Sequence, residues 1–394
     1  MLEVFDDLRG KGPLRDVTVL DLSQMMMGPL ATQLYGDLGA LVVKIERPRI
    51  GEWERSYQPF GQDSDDDSPF FWSMNRNKIS IELDLKSAED KEIFLELVPE
   101  CDLLVHNYRQ GVMERLGLGY EVLRQLNSRI VYAYGSGYGA NGSLREESGQ
   151  DLLIQAFSGL AAQNGKDSGP PVPVATPVVD ASSAFLLAFS SVAALLEARR
   201  TGVGREVGVS LLGTALQMQC QQAFLLLNNS NEPLPRSSEN VASWWSDTPY
   251  GIYDASDGFI AIAMAPREMI SRLLGVSYEG LNFTEVESEE WARKRDLVDR
   301  EISAVIRKAS VSHWKQLFDE SGVWSAPVQG LKDVLEHPHL AESGLMYSLN
   351  TNGQDYRFVG SGIEMEGLEP VVRLPPPVVG SHNDMLRKAR KSNG

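Results

Sequence analysis

The chain has 394 residues, enough for a large apolar core and for more than one structural unit, since single cores seldom keep growing beyond about 250–300 residues. Its 54 acidic residues against 37 basic ones leave a formal charge of −17, which argues against a nucleic-acid partner, because that binding rests on neutralising phosphates with Lys and Arg. Only Cys101 and Cys220 occur, too few for a cysteine-based metal site, and their apolar surroundings suit buried thiols in a reducing compartment. No run of about 18 apolar residues stands out as a membrane span. Residues 1–15 lack the apolar stretch of a secretory signal, so a cytoplasmic protein with no membrane partner is expected.

Up to residue 134, short β-branched runs alternate with helical patterns. Residues 17–22, 41–45, 79–83, 103–106 and 130–134 read as strands, and 28–38, 88–98 and 111–126 as helices. That rhythm predicts βαβ units and an α/β fold, a parallel sheet covered on both faces, with ligands beyond the strand C-termini. The acidic run Asp63-Ser64-Asp65-Asp66-Asp67 reads as a solvated loop. A Gly, Pro and Ser-rich loop over 165–177 leads to Asp180, and the small or apolar segment 181–199 reads as a buried helix that Asp180 caps. A strand over 205–211 and a helix to about residue 227 follow. The polar stretch 228–246 reads as a linker or lid. Beyond it, 250–253 and 258–263 suggest a hairpin, followed by amphipathic helices near 267–274, 291–307 and 313–320.

Most local motifs carry little chemistry. Gly137-Tyr138-Gly139-Ala140-Asn141-Gly142 follows a strand and satisfies G-x-G-x-x-G, but a polar loop rather than an apolar helix comes next, so dinucleotide binding is not expected. His337-Pro338-His339 has no carboxylate or Cys in ligand spacing, and no metal is expected. His106, His313 and His382 form no hydrolase pattern.

Four blocks, in order, carry a resemblance. They are Val17-Thr18-Val19-Leu20-Asp21-Leu22-Ser23 running through Gly28-Pro29 to Lys44-Ile45-Glu46-Arg47-Pro48; Asn75-Arg76-Asn77-Lys78 with Ile81-Glu82-Leu83-Asp84; Asn107-Tyr108 to Gly111; and Glu114-Arg115-Leu116-Gly117-Leu118-Gly119-Tyr120. Together they resemble the CaiB/BaiF, or family III, CoA-transferases. The likeness continues through Gln155-Ala156-Phe157-Ser158-Gly159-Leu160 and Ala326-Pro327-Val328 to Gly380-Ser381-His382.

The resemblance implies a Rossmann-like, CoA-binding large domain over 1–227, a linker or lid over 228–247, a small α+β domain over 248–326, and a segment over 327–394 that returns to complete the large domain. It also implies an interlocked homodimer. Coenzyme A would be a cosubstrate, no cofactor would stay bound, and the partners would be an acyl-CoA and a carboxylic acid. Asp180 matches the family nucleophile, with the helix N-terminus expected to favour its ionised form. Met25, Met27, Arg47, Arg76, Lys78, Asn107, Tyr108 and Arg115 match the CoA-contacting region. Met26, Gln150, Asp151, Trp244 and Trp245 fall at the substrate pocket.

Formyl-CoA:oxalate enzymes carry a glutamine where this chain has Met26 and a tyrosine where it has Asp151. They also have a glycine-rich loop at 237–247, so these differences point away from oxalate and toward a larger or more apolar acyl group. The related α-methylacyl-CoA racemases have a histidine where this chain has Gln150, which cannot exchange protons at neutral pH. A racemase, another CoA-dependent isomerase or lyase, and a non-catalytic CoA-binding paralogue are the alternatives.

Overall fold

The structure is a computed structural model that describes residues 1–61, 67–228, 236–243, 245–281, 288–351, 353–368 and 372–393. Most of the acidic run after Gln62, most of the stretch 228–235 and Trp244 lie outside the described residues. Two compact units form, one from Met1–Ser158, Ala175–Gln219 and His339–Gly394, the other from Gly159–Val174 and Cys220–Pro338.

The first unit is built on a parallel sheet. Its strands are β1 (Thr18–Asp21), β2 (Leu41–Glu46), β3 (Lys78–Glu82), β4 (Leu103–His106), β5 (Val131–Ser136) and β6 (Glu206–Ser210), in the order β3-β2-β1-β4-β5-β6. Every residue of β1, β2 and β4 is buried, as their near-continuous apolar runs require in a sheet covered on both faces. Ile79, Ile81, Leu104 and Tyr132 meet helix residues Phe94, Leu97, Met113 and Leu123 in one core. The strand order reverses at β1, which pairs with β2 through Thr18 opposite Leu41 and with β4 through Val19 opposite Leu103. Such a reversal opens a crevice beyond the strand carboxyl ends, here after Asp21 and His106.

The chain from His339 onward belongs to this unit, while Cys220–Pro338 belongs to the second. Arg373 donates to the carbonyls of Leu8 (3.2 Å), Ala40 (3.0 Å) and Gly36, and its N–H donates to Asn77 Oδ1 (2.9 Å). The His382 N–H reaches Ser80 O at 3.2 Å.

In the second unit β7 (Gly251–Asp254), β8 (Phe259–Ile262) and β9 (Ser325–Pro327) form an antiparallel sheet. Tyr253, Ile260 and Ile262 pack there with Ile302, Ile306 and Phe318 from its helices. A hairpin of β10 (Met346–Thr351) and β11 (Gln354–Val359) belongs to the first unit.

Four expectations need correction. The single helix read over 111–126 is two, Val112–Leu116 and Tyr120–Leu126, because Gly117 takes φ +73 and ends the first. The helix after β6 is likewise two, Leu211–Met218 and Cys220–Asn228, with the boundary between the compact units falling after Gln219. Cys101 is buried, but Cys220 is exposed. Finally, the helix Val178–Thr201 is by length and composition apolar enough to cross a membrane. It packs along β5, β6 and the helix Met27–Asp37, burying Val179, Ala184, Leu187, Ala194 and Leu195.

Arg76 lies inside this unit. Its Nε and Nη2 grip the two oxygens of Asp37 at 3.0 and 2.6 Å, and Nη1 reaches Val359 O at 2.9 Å. Removing one member of a buried pair strands the other charge, at a cost of about 3–5 kcal/mol. Arg76→Met should therefore lower the denaturant midpoint by a corresponding amount, and an unchanged midpoint would remove this pair from the fold's supports.

Candidate active site

The crevice between β1 and β4 is closed by a clamp. Asn107, just past β4, accepts from the Gln24 N–H (2.9 Å) and donates to the Gln24 carbonyl (2.7 Å), fixing the chain beyond β1 in both directions. Met25 follows with φ +63, a left-handed conformation uncommon for a non-glycine residue, and its N–H is held by Glu52 Oε2 at 3.0 Å. The helix Met27–Asp37 then begins, so Met25, Met26 and Met27 line up along one wall. Two glycines let the opposite wall come close. A Cβ on Gly135 would lie 2.6 Å from the Met27 sulfur, and one on Gly137 would lie 2.5 Å from the backbone of Gly149.

These walls enclose a cavity of about 250 Å³ lined by the three methionines with Asn107, Tyr108, Arg109, Arg145, Gln150, Leu211 and Asp180. A second cavity of about 610 Å³ shares Arg109, Gln110 and Arg145 with it and adds Gly111, Glu114, Arg115 and Glu146. The mouth therefore carries the guanidinium groups of Arg109, Arg115 and Arg145 interleaved with the carboxylates of Glu114, Glu146 and Glu147. Beside it His106 is packed among Tyr108, Tyr132 and Tyr134, and burial lowers its pKa to about 3, so it is neutral. Burial raises Tyr108 despite the nearby charges of Lys44 and Arg47.

Asp180 sits in the first turn of the helix Val178–Thr201, whose N-cap is Pro177. The sequence reading made Asp180 the cap. Asp151 does that work instead, because its Oδ1 accepts from the amides of Val179 (2.7 Å) and Asp180 (3.0 Å), while Oδ2 accepts from Gln155 Nε2 (2.6 Å). The Val178 amide goes to Thr176 O and the Ala181 amide to Pro177 O, so the first-turn donors of this helix are taken. The expected support for an ionised Asp180 is thereby diverted. Burial first, and then the Asp151 charge, raise Asp180 from the usual carboxylate range to about 7.

Under the methionine wall lies a buried ion network. Lys44 donates to Ser23 O and pairs with Glu52, both at 3.0 Å, with Asp21 at 3.7 Å. Lys78 donates to Asp21 (3.1 Å), Pro29 O (2.9 Å) and Asn75 (2.7 Å). Burial alone would raise Asp21, but Lys44, Lys78, Ser23 and Thr32 pull it well below the usual range. Burial takes Lys78 down to about 8.

The matching segment of the CoA-transferase family III model runs over residues 14–383 of this chain. The chain belongs to CoA-transferase family III. It is 31% identical to a succinyl-CoA:mesaconate CoA-transferase of Haloarcula marismortui, over 95% of this chain and 96% of that one. A succinyl-CoA:glutarate CoA-transferase of Mus musculus is 30% identical, over 95% of this chain and 86% of its own length. Among solved structures, an aspartate-to-alanine mutant of Rv3272 from Mycobacterium tuberculosis superposes with a TM-score of 0.81 at 27% identity, over 96% of this chain and 99% of that one.

For a family III enzyme the disposition of the sequence-derived residues is uneven. Met25, Met26, Met27, Asn107, Tyr108, Gln150 and Asp180 converge on one cavity, and Arg115 lines its neighbour. Arg47 is exposed past β2, with Nε on Gly51 O at 3.3 Å. Arg76 and Lys78 do not face a ligand space, since their donors are spent on Asp37, Val359, Asp21, Pro29 and Asn75. Asp151 turns to the helix amides rather than to the cavity. Trp245 is half-buried in the second unit, where Ser237 and Ser238 are held by Asp296 and Thr248 by Asp299, and Trp244 lies outside the described residues. Sequence reasoning missed Arg145 at the mouth and the cap at Asp151. An Asp at the start of one helix, two turns upstream of nothing it could visibly cap, was the one available signal.

Loss of a side-chain cap costs about 0.5–2 kcal/mol. Asp151→Ala should lower the thermal midpoint, while Asp151→Asn, still an acceptor for the two amides, should recover most of it. Equal losses in both variants would show that the amide bonds are not what matters at this position.

Proposed function

We propose that the enzyme moves CoA from an acyl-CoA donor to a carboxylic acid acceptor with Asp180 as nucleophile. The observation that carries this reading is the carboxyl of Asp180 in the wall of a cavity at the switch point of a parallel sheet, with three arginines at its mouth. The Asp180 carboxylate attacks the thioester carbonyl, a C–O bond forms, the C–S bond breaks, and CoA leaves as thiolate from a mixed anhydride. The thiolate then attacks the aspartyl carbonyl, releasing the donor acid as carboxylate and leaving an aspartyl-CoA thioester. The acceptor carboxylate attacks that thioester, and the returning thiolate takes the new acyl group, which restores Asp180. Activation passes from one acyl species to the next.

Arg109, Arg115, Arg145 and Arg47 would meet the CoA phosphates, for which clustered guanidinium groups are suited. The methionine wall and Leu211 favour an apolar acyl portion. We read the first compact unit as the CoA-binding domain and the second as the small domain. The interlocked homodimer is supported by the outer face of the helix Val178–Thr201, where Phe185, Phe189 and Leu196 are 53%, 73% and 71% exposed. A reducing, cytoplasmic setting is supported by the unpaired thiols. Gln150 at the cavity wall, where a racemase needs a group that exchanges protons, weighs against the racemase reading.

Only ionised Asp180 attacks, so kcat/KM should fall as pH drops through about 7, the value to which burial and Asp151 raise it. Asp180→Asn should abolish transfer while leaving CoA binding in place. Intact mass of wild type incubated with acyl-CoAs should reveal a CoA-linked adduct that hydroxylamine removes. Full activity in Asp180→Asn, or deuterium exchange at the α-carbon without transfer, would overturn the transferase mechanism.

A further inference from the structure

Asp151 and Asp180 meet at the start of the helix Val178–Thr201. Asp151 is buried, and its Oδ1 accepts from the Asp180 amide itself at 3.0 Å and from the Val179 amide at 2.7 Å. Its Oδ2 accepts at 2.6 Å from Nε2 of Gln155, also buried. All three are contacts that a carboxylate accepts, and none asks it to donate. Asp180 sends its own carboxyl into the wall of the cavity, beside Gln150. The residue whose main chain Asp151 grips is thus the residue whose side chain faces the substrate space, and the two carboxyls lie within the reach of one side chain.

That contact decides what the Asp180 carboxylate meets when it ionises. The amides that ordinarily shelter a first-turn carboxylate are taken, Val179 and Asp180 by Asp151, Ala181 by Pro177 O and Val178 by Thr176 O. A second negative charge stands in their place. The elements packed most closely on this helix are the helices Met27–Asp37, Asp151–Phe157 and Leu211–Met218 with β5 and β6. Their titratable groups are Tyr35, Asp37, Asp151, Tyr132, Tyr134 and Glu206, with no cation among them. The helix's own Arg199 and Arg200 lie in its last turn. Across the cavity stand Tyr108, Arg109, Arg145 and Glu147, and Glu54 of the short helix Trp53–Ser56 feels Asp180. Of all these, only Asp151 adds to burial in raising Asp180.

We propose that Asp151 is a positioning residue that tilts Asp180 toward its covalent states, by holding the Asp180 main chain, occupying the amides that would shelter the free carboxylate, and keeping beside it a charge that the acylated side chain no longer feels. The proposal rests on Asp180 as nucleophile. When the Asp180 carboxylate attacks the thioester, a C–O bond forms, the C–S bond breaks, and the negative charge leaves on the CoA thiolate. When the thiolate attacks the aspartyl carbonyl, a C–S bond forms, the anhydride C–O bond breaks, and the charge leaves on the donor acid. Asp180 is neutral in both products, so Asp151 opposes only the free enzyme.

Asp151→Asn separates the charge from the grip. Its Oδ1 still accepts from both amides, and Gln155, itself an amide, has an oxygen to offer the new Nδ2. The thermal midpoint should be nearly kept, while two properties that a cap alone does not set should move. The acid limb of kcat/KM should shift down by at least about half a pH unit. At about pH 9, with acyl-CoA and donor acid fixed, the ratio of CoA-linked to free enzyme seen by intact mass should fall at least about threefold, since half a unit is about a factor of three. Asp151→Ser, a short uncharged cap, carries the same expectation should the asparagine variant fail to fold. If either quantity stays put in a folded uncharged variant, the proposal is overturned. Loss of turnover at every pH in such a variant overturns it too, because a tilt leaves a slower enzyme rather than a dead one.

A cycle without turnover keeps this apart from the nucleophile reading. A carboxyl raised in the folded protein gives stability that is complete below its unfolded value and is lost as pH climbs through the folded one, here between 3.8 and about 7 for Asp180. Asp180→Asn should therefore flatten part of the decline in thermal midpoint across that interval, and should flatten less of it when made in Asp151→Asn. Equal effects in the two backgrounds overturn the proposal even where Asp180 proves to be the nucleophile. A fully active Asp180→Asn would remove the nucleophile and with it the covalent states, while the cycle would still report the charge of Asp151 on Asp180.

Discussion

The site hangs on a cluster of charges buried where β1 ends, within β2 and where β3 begins. Lys44 and Lys78 are strand residues with essentially no exposure, and a lysine in such a place persists only if its ammonium is paired and hydrogen-bonded. Asp21 supplies the shared counter-charge. Glu52 extends the cluster outward and takes the Met25 amide, which fixes the left-handed residue that turns the methionine wall into place. An apolar replacement of similar volume could be as stable, since desolvation offsets most of what buried pairs contribute. What the ions add is direction. Their hydrogen bonds tie the segments after β1 and β2 to the start of β3, and the segment after β1 carries the methionine wall of the cavity.

Asp21 and Asp180 are both carboxyls withdrawn from water, yet they end in opposite states. Around Asp21 two ammonium groups and two hydroxyl donors outweigh burial. Asp180 has another carboxylate as its nearest charge, and the amides that could have favoured its ionised form bond Asp151 or the preceding carbonyls. Magnitude decides whether the helix end could compensate. A helix terminus contributes about 0.3–1 kcal/mol at ordinary exposure, less than one pH unit at about 1.36 kcal/mol per unit, against a displacement from 3.8 to about 7. Asp180, the proposed nucleophile, is thus poised near neutrality, where a carboxylate is more basic and a better attacking group than one held deep in the acid range.

The parallel sheet was legible because its strands obey local rules. β-branched runs of the right length, separated by helical periods, predicted all six, with ends shifted by one or two residues. The helix breaks at Gly117 and Gln219 were not, since the apolar period runs through both and only the backbone conformation or the boundary between units ends the element. Side-chain roles were least legible. Arg76 and Arg115 both lie in the blocks that carry the resemblance, but Asp37, 39 residues away in the chain, decides that one is structural. Glu52 and Glu54 are separated by a single residue, and nothing local foretells that Lys44 will be shared with the first and not the second. Allocation of counter-charges is a tertiary property.

The same limit explains the helix that carries Asp180. A helix apolar on every face is ordinarily a buried one, and composition alone cannot say whether lipid, the protein's own sheet or a second chain covers each side. Its inner face lies on β5, β6 and the helix Met27–Asp37, which accounts for Val179, Leu187 and Leu195. Its outer face presents Phe185, Phe189 and Leu196, too much contiguous apolar surface to be explained by scattered exposure. The proposed interlocked partner would bury that face, and it would do so on the very element whose first turn carries Asp180. Assembly and catalysis would then share one rigid body, so that a change at Phe189, far from the cavity along the helix, would reach Asp180 through the helix itself.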